Sequence, residues 1–151
     1  MGEITQGIEV REAVPAEAEA VYEIGNLCFS DSWRRETVLH DMEGPHSVYF
    51  TAHRDGEILG YACFWFVLDE AQLVNIGVRP EARRQGIAGK LLDAGLAEAR
   101  KRGSRTLFLE VRVSNRPAQI LYEHYGLQVK GLRKDVYELP REDGYIMSRE
   151  I

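Results

Sequence analysis

The beginning of the chain carries apolar side chains at two spacings, which predict one strand followed by two helices. Residues 8–11 alternate in polarity, as a short strand does. Residues 13–17 then open a helix whose apolar positions recur at helical spacing, namely Ala20, Val21, Ile24 and Leu27. Residues 29–33 break this helix, and residues 36–39 predict a short second one.

The next part of the chain is rich in β-branched and aromatic residues and predicts three strands joined by tight turns. Residues 48–53, 58–68 and 71–78 are the predicted strands. Asp55-Gly56 is a strong hairpin signal, and Asp69-Glu70 predicts a second turn. We therefore expect an antiparallel meander.

Beyond Pro80, two helices alternate with strands. The first follows residues 83–90, ends at Gly103 and has the apolar stripe Ile87, Leu91, Leu92, Gly95, Leu96 and Ala99. In the strand 106–113 one face carries Leu107, Leu109, Val111 and Val113, and the other carries Phe108, Glu110 and Arg112. The second helix opens after Ser114-Asn115, ends at Gly126 and has the inner face Ala118, Leu121, Tyr122 and Tyr125.

Residues 127–131, 136–139 and 145–147 predict the closing strands. The element order is β-α-α-β-β-β-α-β-α-β-β, which indicates an α/β (α+β) fold with a mixed sheet. The absence of repeats or linkers in the sequence predicts one domain over residues 1–151.

Composition narrows the class of protein. The chain is 44% hydrophobic and 28% charged, as globular domains are, and its formal net charge of −5 argues weakly against nucleic-acid binding. Cys28, Cys63 and the histidines have no metal-ligand spacing, so we expect no metal. Residues 1–6 lack a signal-peptide core, Gln6 does not fit a myristoylation motif after Gly2, and the apolar run 61–68 is too short for a membrane span. We expect a cytoplasmic protein.

Residues 83–89, Arg-Arg-Gln-Gly-Ile-Ala-Gly, lie between a predicted strand and a predicted helix. Glycine lets the backbone approach a ligand, and free N–H groups at a helix N-terminus favour a phosphate. Arg83, Arg84 and Lys90 add positive charge. The segment matches neither the P-loop nor the GxGxxG pattern, so a phosphate site and a merely tight turn are both open on these residues alone.

Four segments, in this order and spacing, resemble the GNAT acetyltransferases. They are residues 74–80, the R/Q-x-x-G-x-G/A loop, residues 109–115 (LEVRVSN) and residues 121–127 (LYEHYGL). The last two narrow the resemblance to the N-terminal acetyltransferases. Similar features extend from residues 29–33 to 142–147, and the chain looks most like the RimI-type enzymes, which acetylate the amino-terminal alanine of a ribosomal protein.

The resemblance implies acetyl-CoA as the co-substrate. Ile76, Gly77 and Val78 would bind the pantetheine arm on a splayed strand, and the amide of Val78 would polarise the thioester carbonyl. The pyrophosphate would be wrapped by Arg84, Gln85, Gly86, Ile87, Ala88 and Gly89. Asn115 and Tyr122 would contact the cofactor near its sulfur.

The resemblance also implies that Glu110 accepts a proton and Tyr122 donates one, while the acceptor is bound by Phe29, Trp33 and Tyr137. The chemistry is reasonable because an α-amino group with a pKa of about 8 is mainly protonated at neutral pH and needs a base. A phenol with a pKa of about 10 can protonate a leaving thiolate. We also expect a basic second residue of a peptide acceptor to be attracted by Glu138, Glu142 and Asp143.

Each assignment has a simpler structural alternative. Glu110 could pair with Arg112, Tyr122 could be a core residue, and Asn115 could be only a helix cap. Gly77 stands where the family usually has alanine, and Val136 stands where a second tyrosine is common, which leaves the acceptor open. The competing functions are acetylation of a small-molecule amine and a non-catalytic acyl-CoA-binding module.

Overall fold

The structure, a computed structural model, describes residues 7–151, and the predictions about residues 1–6 and Gly2 lie outside this part. The described residues form eleven helices and strands in the predicted order: β1 (Glu9–Glu12), α1 (Ala18–Cys28), α2 (Arg35–Met42), β2 (Ser47–Arg54), β3 (Glu57–Val67), β4 (Glu70–Val78), α3 (Ile87–Lys101), β5 (Thr106–Arg112), α4 (Arg116–His124), β6 (Gln128–Tyr137) and β7 (Glu142–Glu150). No helix among these residues is long and apolar enough to cross a membrane.

All strands belong to one sheet with the order β1-β2-β3-β4-β5-β7-β6. Only β4 and β5 pair in parallel, and the other neighbours pair antiparallel. The hairpin between β2 and β3 turns at Asp55 and Gly56, both with positive φ, as predicted. The mixed, mainly antiparallel sheet is therefore confirmed.

Several element bounds differ from the prediction, and three of the differences concern turns and connections. The first helix is preceded by a separate 3₁₀ turn at Pro15–Glu17, so α1 begins later. The turn after β3 falls at Leu68, which has φ of 54°, because Glu70 is already paired in β4. The segments 127–131 and 136–139 are one strand, β6, because it stays paired with β7 across a bulge between Arg133 and Tyr137.

Helices cover both faces of the sheet. On the face that we call the α3 face, α3 and α4 pack on strand residues such as Phe50, Phe64 and Leu109. The predicted stripe of α3 is buried there, and at Gly95 an added Cβ would lie 2.0 Å from Phe64. On the opposite α1 face, α1 and α2 pack on Tyr49 and Tyr61.

The parallel ladder between β4 and β5 is short, and this shapes the site. It contains three residue pairs and ends at Gln72 and Phe108. Immediately beyond, Phe64 of β3 pairs with Leu73 while Cys63 pairs with Asn75, so Val74 is an extra residue in β4. A bulge bends its strand, and here the bend coincides with the point where the two strands separate. We call the resulting gap the β4–β5 opening.

Candidate active site

The last residues of β4 point backbone groups into the β4–β5 opening. The N–H of Arg79 donates to the carbonyl of Leu59 at 2.8 Å, so alternate residues of this edge face β3. By this alternation Gly77 is paired with β3, while the N–H groups of Ile76 and Val78 point away from it. The N–H groups of Ile76 and Val78 therefore line the opening, where the resemblance implies a pantetheine site.

A side chain at Gly77 would be tightly packed. An added Cβ would lie 3.2 Å from Cys28 Sγ, 3.2 Å from Tyr61 Cε1 and 3.3 Å from Ile24 Cγ2. Cys28 Sγ also donates to the carbonyl of Val78 at 3.3 Å, so it is fixed beside this glycine. Cys28 Sγ thus occupies space that a side chain at position 77 would need.

The glycine-rich loop leads directly from the end of β4 into α3. Arg84 and Gly86 both have positive φ, 64° and 79°. The N–H of Lys90 is the first to bond back to the carbonyl of Gly86, and no side chain of the described residues caps the helix. Free N–H groups in this setting form an anion site. They belong to Ile87, Ala88 and Gly89.

The side chains of the loop contribute less charge to this site than the sequence suggested. Arg83 donates through Nε to the carbonyl of Val78 at 3.2 Å, and Lys90 donates to the carbonyl of Ile8 at 3.2 Å. Arg84 is exposed and has no partner among residues 7–151, while Gln85 is half-buried. Ile87 is 2% exposed and belongs to the core, so only its backbone can serve a ligand.

Glu110 lies on the α1 face at the level of the opening. Its neighbours Leu109 and Val111 are buried on the α3 face, so the alternation of β5 turns Glu110 the other way. Its side chain is 25% exposed and accepts from Arg133 Nη1 at 2.9 Å. The alternative pairing of Glu110 with Arg112 is wrong, because Arg112 binds other groups.

Tyr122 of α4 lies on the opposite face of the sheet, near Tyr137. It is 6% exposed and packs with the α3-face core. Its hydroxyl bonds to none of the described residues but is not cut off from solvent. Burial, and next the nearby Tyr137, raise the pKa of Tyr122, which therefore stays protonated. The sheet thus has a carboxylate on its α1 face and a neutral phenol on its α3 face.

Tyr137 lies near both of these residues. Burial first, and then the charge of Glu110, raise the pKa of Tyr137 to about 12. The ring is brought here by the bulge of β6, because Tyr137 folds over Gly144, where an added Cβ would lie 2.9 Å from the ring and 2.8 Å from Val136. Tyr137 is thereby close to both predicted catalytic residues.

Asn115 is the N-cap of α4. Its Oδ1 accepts from the N–H of Ala118 at 3.3 Å, which is the contact of a helix cap. The capping alternative is therefore present, and the residue also stands just beyond the end of β5, on the side of the opening.

The loop between α1 and α2 meets the hairpin between β6 and β7, and these segments carry the residues that the resemblance assigns to the acceptor. The hydroxyl of Ser30 donates to the carbonyl of Leu139. Phe29 is half-buried next to this contact in the sequence. Trp33 is turned inward and stacks on Trp65 with ring centroids 6.2 Å apart, so its ring supports the loop.

Arg112 holds this region together and was not predicted as a site residue. The sequence placed it beside Glu110 on one strand face but gave no sign of its partners. They are the carbonyls of Glu138 (2.9 Å) and Pro140 (2.8 Å), the carboxylates of Glu142 (3.2 Å) and Asp31 (3.6 Å), and the ring of Tyr137 (4.6 Å).

The acidic residues of the hairpin are mostly engaged within the protein. Glu142 binds Arg112 and accepts from the N–H of Ser114 at 2.7 Å, and hydrogen bonds from Ser114 lower its pKa. Asp143 accepts from the N–H of Asp135 at 2.8 Å. Only the carboxylate of Glu138 lacks a partner in the described part of the chain, so the predicted attraction of a basic acceptor residue is weaker than the sequence suggested.

The open sheet and the helix start beside it fit an acyl-CoA-dependent acetyltransferase, and the comparison with protein families gives the same class of protein. Residues 18–127 match the acetyltransferase (GNAT) family. The chain belongs to this family, so the predicted fold and enzyme class are confirmed.

Individual relatives narrow the class. A Bacillus subtilis (strain 168) protein, provisionally named a [ribosomal protein bS18]-alanine N-acetyltransferase, is 37% identical over 139 residues, covering 91% of this chain and 92% of that protein. The crystal structure of the ribosomal-protein-S18-alanine N-acetyltransferase from Escherichia coli has a TM-score of 0.89 and 34% identity, covering 95% of this chain and 94% of that one. A GNAT family acetyltransferase from Elizabethkingia anophelis, solved with acetyl-CoA bound, shares the fold with a TM-score of 0.81 and 19% identity over 97% of this chain and 99% of that one.

Proposed function

We propose that the protein transfers the acetyl group of acetyl-CoA to the α-amino group of a protein that begins with alanine, with a ribosomal protein as the target. The observation that carries the proposal is the β4–β5 opening, together with Glu110 on the α1 face of the sheet and the phenol of Tyr122 on the α3 face. The similarity to two proteins named for acetylation of ribosomal protein S18 supports the choice of target.

Glu110 is the base in this proposal. An α-ammonium group with a pKa of about 8 must lose a proton before nitrogen can attack a carbonyl carbon. Glu110 takes that proton directly or through a water, which breaks an N–H bond and forms an O–H bond. It is suited to this because three quarters of its side chain is shielded while part remains accessible, its side-chain exposure being 25%.

Tyr122 is the acid. When nitrogen bonds to the thioester carbon, the carbon–sulfur bond breaks and the sulfur leaves as a thiolate that needs a proton. A phenol can supply it, and Tyr122 is held protonated because burial raises its pKa. Its hydroxyl is not engaged by the described residues, which leaves the proton available to the sulfur.

The backbone fits the donor molecule. Acetyl-CoA supplies the activated acetyl group, and the N–H of Val78 would polarise its carbonyl from the wall of the opening. Residues 84–89 would bind the pyrophosphate through the free N–H groups at the start of α3. Asn115 would bind near the sulfur through the amide nitrogen that its capping contact leaves free.

The acceptor would enter between the loop after α1 and the β6–β7 hairpin, which Phe29, Trp33 and Tyr137 flank. The contacts of Arg112 hold these two segments in place. Ribosomal proteins are synthesised in the cytoplasm, so we propose that the enzyme acts there. We also propose that residues 1–151 act as one GNAT domain.

The proposal is tested by mass spectrometry of purified protein with acetyl-CoA and short peptides. We expect a gain of one acetyl group on a peptide starting with alanine, and none on the same peptide with a blocked N-terminus. Peptides starting with methionine or glutamate should react at least about tenfold more slowly. Acetylation of spermidine or free amino acids in place of any peptide would contradict the proposed acceptor.

A further inference from the structure

The carboxylate of Glu110 is held by one group only. Arg133 Nη1 donates to Oε2 at 2.9 Å, and no other described residue bonds to either carboxylate oxygen. The Glu110 side chain is 25% exposed and that of Arg133 is 57% exposed, so the pair sits at the mouth of the site. Any catalytic role of this pair rests on the proposed function, because Glu110 is the base of that reaction.

Arg133 reaches Glu110 across a whole strand. It belongs to β6, whereas Glu110 belongs to β5, and β7 lies between them. Two strand spacings amount to about 10 Å, which only a long side chain can bridge. Arg133 is paired with Gly144 and lies two residues beyond Gly131, the β6 residue in register with Glu110 and Ile146, so its side chain crosses β7 obliquely.

The other arginine beside Glu110 cannot replace Arg133. Arg112 is next to Glu110 on the same strand face, but its guanidinium binds Glu142, the carbonyl of Pro140 and other groups of the hairpin. The orientation of the Glu110 carboxylate therefore depends on a residue from the edge strand. That strand is bulged just beyond Arg133. The bulge therefore adjoins both the residue that binds Glu110 and the segment that leads to Tyr137.

We propose that Arg133 is a positioning residue for acetyl transfer. It binds Oε2 of Glu110 and leaves Oε1 to face the ammonium group of the acceptor. A guanidinium is suited to this because it stays charged and cannot take the proton itself. The proton passes from the acceptor nitrogen to Oε1, and Arg133 undergoes no chemical change.

The test compares Arg133→Met with Lys134→Met. Arg133→Met keeps a long side chain without a donor, and we expect kcat to fall about tenfold or more, because a displacement of about 1 Å at a reacting group can cost up to about 10²-fold. The KM for acetyl-CoA should not change. The kcat of Arg133→Lys should be at least about threefold higher than that of Arg133→Met, since a cation can again bind Oε2. Lys134 is exposed and has no partner among the described residues, so Lys134→Met should stay within about twofold of the parent.

A double-mutant cycle separates positioning from a structural role. If Arg133 acts through Glu110, Arg133→Met should have no further effect on kcat in a Glu110→Gln enzyme. If the two substitutions lower kcat independently, so that their effects multiply in the double variant, or if Arg133→Met leaves kcat unchanged, the role of Arg133 is overturned and that of Glu110 is not. A Glu110→Gln enzyme as fast as the parent would overturn both the base and Arg133. Circular dichroism checks each fold, and Arg133→Gln replaces Arg133→Met if the latter fails to fold.

Discussion

Gly77 and Cys28 should behave as a coupled pair in stability measurements. Replacing Gly77 with alanine places a Cβ at 3.2–3.3 Å from Cys28, Tyr61 and Ile24, which is tight without being a direct clash. Overpacking of this kind costs roughly 1–3 kcal/mol, and the loss of glycine's freedom in the unfolded chain returns about 0.4–1 kcal/mol. We therefore expect Gly77→Ala to lower the free energy of unfolding by about 1 kcal/mol, or about 2–4 °C in Tm.

The cysteine decides how large this cost is. In a Cys28→Ala background one of the three contacts disappears, so Gly77→Ala should cost less by about 0.5 kcal/mol or more. Gly25→Ala, within α1, is the matched control, because the added Cβ would lie at an ordinary contact distance of 3.4 Å from the hydroxyl of Tyr61. Alanine is the better helix former, so this control should leave stability unchanged or raise it by up to about 1 kcal/mol.

Urea unfolding followed by circular dichroism measures the parent, the single variants and the Gly77→Ala/Cys28→Ala double variant. Equal stability of Gly77→Ala and the parent would refute the packing argument. Strictly additive effects of Gly77→Ala and Cys28→Ala would refute the coupling through the sulfur.

Three further predictions concern the cofactor loop, the cap of α4 and the hairpin. Gly86→Val should weaken coenzyme A binding in calorimetry about tenfold or more, about 1.4 kcal/mol, because φ is 79° at Gly86. Gly103→Val is the control: φ is 78° there, at the other end of α3, so the variant should strain the chain equally without changing the affinity for coenzyme A. Asn115→Ser keeps a capping oxygen but removes the amide nitrogen, so it should weaken coenzyme A binding, and an unchanged affinity would reduce Asn115 to a cap. The folded-state pKa of Glu142 is below its ordinary 4.5, so the contribution of Glu142 to stability is complete at neutral pH and is lost as pH falls through the folded-state pKa. Below about pH 4.5 the parent should therefore lose more stability than Glu142→Gln. Parallel losses in the two proteins would contradict this.

The sequence predicted those features that local periodicity encodes. The stripe of α3 and the alternation along β5 placed Glu110 on the correct face, because side-chain direction follows directly from helix and strand geometry. The glycine-rich turn was recognisable because positive φ and a helix start leave a local signature.

Features that depend on the register between strands could not be predicted. The extra residue Val74 is defined only by the pairing of β4 with β3, and it is this pairing that accompanies the opening. The ion pair of Glu110 and Arg133 joins positions 23 residues apart across an intervening strand. The bulge that folds Tyr137 over Gly144 likewise needs the partner strand to be known.

The rate of Glu110→Gln as a function of pH tests the central claim most directly, with an alanine-initiated peptide and saturating acetyl-CoA. Glutamine keeps the shape of the side chain but cannot accept the proton, so kcat at pH 7 should fall by about 10² or more while acetyl-CoA binding is retained. The remaining activity should rise with pH, because free amine then forms without a base. A Glu110→Gln enzyme that turns over like the parent at pH 7 would contradict the account, and the base would have to lie elsewhere.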